Sequence, residues 1–153
     1  MVIVEDRPTA VALPAPAASP AATAGTALCT MSATEAAVPA LRRFARTAGH
    51  HWSVPADTLD ALSLVVTELV TNAVLHSGSP DVTVLLVRHG PALTVEVKDC
   101  GQWRVRAARR RVPEDAGAAC GRGLDLVKRL TTAWLAHLSP AGTCVVATLS
   151  LAD

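Results

Sequence analysis

Thr67-Glu68-Leu69-Val70-Thr71-Asn72-Ala73-Val74-Leu75-His76 lies inside the longest helical pattern of the chain. Glu68, Asn72 and His76 recur at steps of four, so a helix stacks a carboxylate, a carboxamide and an imidazole within one sector. Leu62, Val66, Leu69, Val70 and Ala73 supply an apolar face beside that stripe. One face packs, and its neighbour is addressed to something else. Taken alone, a polar stripe on an apolar helix is more often a solvated surface, so the rest of the chain decides its meaning.

Working outward, Val54-Pro55-Ala56-Asp57 opens this helix, with proline tolerated in the first turn, and Gly78-Ser79-Pro80 stops it after about Ser77. A preceding helix is expected over residues 34–48. Ser32 and Glu35 have capping-box spacing at its start, and Val38, Leu41, Phe44, Ala45 and Ala48 fall at helical steps. Arg42, Arg43 and Arg46 lie off that stripe. Gly49 is expected to end this helix, leaving His50, His51 and Trp52 as a connection. Residues 27–31 read as a first strand. Residues 7–25 are almost entirely Ala, Pro, Thr and Ser, which forbids a packed core and divides the chain into a disordered tail, 1–26, and one domain, 27–153.

Downstream, 82–89 and 93–99 are β-branched or alternating runs about a Gly90-Pro91 turn, an antiparallel hairpin. Residues 101–119 lack apolar periodicity and carry Arg104, Arg106, Arg109, Arg110 and Arg111, a long loop of the functional kind. Gly121-Arg122-Gly123 leads into an apolar helix at 124–130. Two strands, 132–138 and 143–151, follow around Pro140-Ala141-Gly142. The sum is an α+β fold, a two-layer α/β sandwich whose mainly antiparallel sheet is covered on one face by helices.

The chain has 153 residues, one domain's worth. A net charge of +1 with 18% charged residues gives no global field for nucleic acid or an anionic membrane, so partners must be argued from sites. No stretch approaches a membrane span and no export signal is legible, which points to the cytoplasm. Cys29, Cys100, Cys120 and Cys144 form no C-x-x-C pair, so they read as small hydrophobes in a reducing compartment. A regulatory disulfide between Cys100 and Cys120, which bracket the arginine-rich segment, is the alternative.

Three further features could carry chemistry. Asp99 ends a strand beside Gly101; such a carboxylate is either a turn residue bonded to its own backbone or an acceptor for the exocyclic amino group of a base. Gly121-x-Gly123 before a helix is either punctuation or a place where backbone and helix dipole approach a phosphate. The arginines form either a solvated loop or ligands for phosphate or an acidic partner.

In chain order these motifs are Glu-x-x-x-Asn-x-x-x-His on a helix, Asp-x-Gly after a strand, a long loop, Gly-x-Gly-Leu opening a helix, and Gly-Thr at the last strand. That order resembles the GHKL (Bergerat-fold) ATPases over residues 27–151, and Glu68-Leu69-Val70-Thr71-Asn72-Ala73-Val74 is similar to the stand-alone anti-sigma-factor serine kinases. The resemblance implies ATP and Mg²⁺ as cofactors. It implies that Asn72 coordinates the metal, Glu68 is the general base, and His76 supports the helix end and neighbouring phosphates. Asp99 would accept the adenine amino hydrogen, Gly101 would give the base room, and Thr143 would bond the ring or Asp99. Gly121, Arg122, Gly123 and Leu124 would form the hinge and helix start under the phosphates, with residues 104–119 as the ATP lid. Trp103 stands where the family often has a second glycine, so the lid leaves the base pocket along another path.

The function this implies is a regulatory serine/threonine kinase that transfers the ATP γ-phosphate to an antagonist protein and sequesters a sigma factor. The rival is a non-catalytic nucleotide-sensing module that binds a protein partner. A histidine-kinase fragment is weaker, since His50 and His51 fall in a connection rather than a helix pair, and direct nucleic-acid binding lacks stacking rings beyond Trp103. Relatives of the implied kind commonly form homodimers, which sets the oligomer expectation.

Overall fold

Strict alternation of buried and open side chains builds the sheet. The computed structural model describes residues 2–3, 24–102 and 122–151. Strands β1 (Val2–Ile3), β2 (Gly25–Ser32), β3 (Asp81–His89), β4 (Ala92–Asp99), β5 (Ala133–Ser139) and β6 (Gly142–Ser150) form one antiparallel sheet in the order β1-β5-β6-β4-β3-β2. Val82, Val84 and Leu86 of β3, Leu93, Val95 and Val97 of β4, and Val145, Ala147 and Leu149 of β6 are buried on one face. A period of two places them all under the helices. Across the opposite face runs the row Leu28, Leu85, Glu96, Val146 and Leu135, with Leu28 and Leu135 exposed.

Helices α1 (Ala37–His51), α2 (Ala56–His76) and α3 (Arg122–Leu130) cover the first face. The expected α+β sandwich is therefore the observed one. Leu62, Val66, Leu69, Val70 and Ala73, the stripe legible in the sequence, are all buried. By length and composition α2 is apolar enough to cross a membrane, contrary to the expectation that no stretch approaches a span. Leu59, Leu62, Val65, Val66, Leu69, Val70 and Ala73 are instead packed in the core between α1 and the sheet, while Leu64 and Leu75 stay exposed. Removing a side chain such as Leu69 from water contributes about 1.5–3 kcal/mol, which outweighs any local propensity.

Three expectations about α1 need correction. Ser32 is the last residue of β2, and the helix starts after Ala36, which makes no side-chain capping bond. The first amides are held instead by turn bonds, Thr34 N–H to Ser32 C=O at 2.8 Å and Ala37 N–H to Thr34 C=O at 2.9 Å. Gly49 does not end α1, and His50 and His51 form its last turn. A side-chain carbon at residue 49 would lie 2.4 Å from Leu59 Cδ2, so this glycine serves close helix packing. The chain leaves α1 at Trp52 and turns at Ser53, whose φ is 52°. Arg46 then ties the two helices together through Asp60 at 2.9 Å and Ser63 at 3.0 Å.

The domain's first strand begins at Gly25 rather than residue 27, and Val2–Ile3 pairs with Ala136 and His137 of β5. The rest of the expected tail, the arginine-rich loop with Trp103, and Cys120 lie outside the described residues. Cys100 is a free, exposed thiol.

Candidate functional site

The end of β4, the start of β6 and the last turn of α2 meet at one edge of the sandwich. Asp99 and Thr143 are direct cross-strand partners, and each is only 3% exposed. The Asp99 Oδ1 accepts the Gly101 amide at 3.0 Å and the Thr143 amide at 3.4 Å. The self-turn foreseen for a carboxylate here is thus real, and it fixes the side chain rather than idling it. Gly101 has to be glycine, because a Cβ there would fall 2.0 Å from the Ser77 carbonyl oxygen and 2.8 Å from the Ser79 nitrogen. The strand end is thereby pressed onto the end of α2.

Glu68, Asn72 and His76 are half-buried along α2, at successive turns about 6 Å apart. Glu68 faces the first turn of α3: a Cβ on Gly123 would lie 2.4 Å from Glu68 Oε2. Lacking that carbon, α3 brings its N-terminal end against the carboxylate. Val127 buries α3 in the core, Leu124 packs beside it, and Lys128 Nζ sits 5.3 Å from the Trp134 ring of β5. Together these contacts seat α3 on the core from its first turn to its last.

The structure thus joins Asp99 with Gly101 and Thr143, joins Glu68 with Gly123, and links the two groups through α2. Leu124 and the backbone of Arg122 lie in α3 beside Gly123. Gly121 is outside the described residues, as is the side chain of Arg122. Sequence reasoning overlooked Ser77 and Ser79, which are buried at the end of α2. Their signal was a hydroxyl on either side of Gly78, whose φ of 66° makes it the left-handed residue after the helix. Read only as a stop, those serines lost their second role.

On the open face of the sheet, the Cys144 thiol is pushed up from 9.0 to about 11, first by burial and then by the charge and hydrogen bond of Glu96, against the opposing pull of Lys98. It is a poor nucleophile near neutral pH.

The α+β sandwich thus sets a polar helix stripe near a strand-end carboxylate and a glycine-started helix against the stripe's glutamate. The chain belongs to the histidine kinase-like ATPase domain family, whose model matches residues 31–149. Membership of this ATPase family implies an ATP-binding site. Among solved structures, the chain is similar to the RsbU and RsbW domains of Rv1364c from Mycobacterium tuberculosis, with 19% identity and a TM-score of 0.65. That match covers 82% of this chain and 32% of the other, so the chain spans about a third of that neighbour's length, and the likeness is one of fold. No curated protein matches the chain.

Proposed function

We propose that this protein is an ATP-binding regulator of the anti-sigma-factor serine/threonine kinase type, which transfers the γ-phosphate to a partner antagonist protein and sequesters a sigma factor. The observation that carries the reading is the contact of the Glu68 carboxylate with the glycine start of α3. A carboxylate held where a helix N-terminus would receive phosphates is in reach of an attacking hydroxyl. Asp99, fixed by two amides, serves as acceptor for the adenine amino group, and Thr143 holds it from β6. Gly101 and Gly123 admit the Ser77 carbonyl and the Glu68 carboxylate where any side chain would stand. Gly121, Arg122 and Leu124 complete the phosphate side, and His76 supports the end of α2.

The donor chemistry fits a magnesium ion. Asn72 offers a hard carboxamide oxygen one turn from Glu68 and one from His76, and phosphates and water would supply the remaining ligands. When bound, the ion would neutralise phosphate charge during transfer. Glu68 would orient and accept the proton of the serine or threonine hydroxyl, and α2 would hold both residues at fixed spacing.

The test is calorimetric titration with ATP, with and without Mg²⁺, followed by phosphate transfer to a purified candidate antagonist. Magnesium-dependent binding lost in Asn72→Ala, with Glu68→Ala retaining binding but losing transfer, is the expected result. If Glu68→Ala leaves function unchanged while ATP still binds, the protein is a nucleotide-sensing module that only captures its partner.

A further inference from the structure

The turn after α2 is bonded more heavily than a helix stop requires. The Ser77 hydroxyl donates to the Ala73 carbonyl at 2.6 Å and accepts the Ser79 amide at 3.0 Å. In turn, the Ser79 hydroxyl donates to the Asp81 carbonyl at 2.6 Å and accepts the Cys100 amide at 3.0 Å. Ser77 is 5% exposed and Ser79 9%. Cys100 stands between Asp99 and Gly101, so a hydroxyl from the α2 turn grips the peptide that carries the carboxylate. From the other side, Asp99 Oδ1 is held by the Gly101 and Thr143 amides.

We propose that Ser79, backed by Ser77, is a positioning residue for base recognition, and that this serine pair ties the base acceptor to the helix bearing Asn72 and His76. The inference rests on reading Asp99 as the acceptor for the adenine amino group. A neutral hydroxyl bound to a main-chain amide leaves the Asp99 charge unchanged but fixes the dihedrals on which its carboxylate swings. Where water reaches the freed Cys100 amide, it replaces the lost acceptor chemically. Water does not connect the peptide to α2, however. Removing the Ser79 hydroxyl therefore relaxes selection of the base while the phosphate side keeps its contacts.

The experiment titrates the full chain with ATP and with purine riboside triphosphate, which lacks the 6-amino group. Wild type should prefer ATP by tenfold or more, on the order of one well-made polar contact. Ser79→Ala should lose most of that preference while its affinity for the deamino analogue changes by less than about twofold. Ser79→Thr, which keeps the hydroxyl, should restore it. Ser77→Ala, which removes the acceptor of the Ser79 amide, should move in the same direction and stands in should Ser79→Ala fail to fold. A Ser79→Ala protein that loses both nucleotides by one common factor, or keeps the wild-type preference, overturns the inference alone. Wild type without any preference overturns the reading of Asp99 and the inference with it.

Discussion

Gly123→Ala separates the position of the Glu68 carboxylate from the stability of the fold. The added Cβ would lie 2.4 Å from Glu68 Oε2 and 3.4 Å from its Cδ, while ordinary contacts begin at 3.4 Å. The carboxylate must therefore retreat by about 1 Å. It can do so because it is the far end of a flexible side chain, so neither helix axis has to move. Replacing glycine by alanine within a helix contributes up to about 1 kcal/mol in favour of folding. The melting temperature should then stay unchanged or rise by about 2–4 °C. Chemistry responds in the opposite direction. A misplacement of about 1 Å in a reacting group costs on the order of 100-fold in rate, or about 2.7 kcal/mol of barrier. The assay is steady-state ATP turnover or phosphate transfer, with nucleotide affinity measured separately by calorimetry. Turnover that matches wild type would refute the placement of Glu68 as the base. A melting temperature lowered by more than a few degrees would refute the claim that only the carboxylate yields.

Gly101→Ala makes the contrasting case, since its Cβ would fall 2.0 Å from a main-chain oxygen that no rotamer change can move. A loss of about 2–3 kcal/mol in denaturant unfolding is expected, and an unshifted midpoint would contradict the close approach of the strand end to α2. Cys144 tests the electrostatics of the open sheet face. With its thiol pushed up to about 11 in the fold against an ordinary 9.0, its alkylation at pH 8 should be about 100-fold slower than in urea, read by peptide mapping. Because the folded value is the raised one, this thiol's contribution to stability is complete below pH 9 and is lost as pH rises from 9 through about 11. Equal alkylation rates in the two states would overturn the assignment.

Much of the fold was legible because its elements repeat their own period. The α2 stripe, the β3–β4 hairpin and the turn before β6 are each written in local apolar spacing, and the sheet's buried rows follow from alternation. The errors fell where one residue type serves two purposes. Gly49 looks like a helix stop, yet its lack of a side chain is used against Leu59 in the last turn of a helix that runs on to His51. Ser32 and Glu35 have the spacing of a capping box, yet Ser32 is committed to pairing with Asp81 in the sheet. Spacing cannot reveal which use wins, since the competing partner lies far along the chain.

The same division runs through the site. By itself the sequence determined that a carboxylate, a carboxamide and an imidazole share a helix face, that Asp99 ends a strand, and that a glycine precedes a helix, because those facts depend only on neighbours within a few residues. Only the tertiary structure decided that Thr143 reaches Asp99 from 44 residues away, that Gly123 admits the Glu68 carboxylate, and that Ser79 grips the peptide at Cys100. These contacts exist because core burial presses α2 onto the sheet and α3 onto α2, which brings distant backbone groups within hydrogen-bond reach.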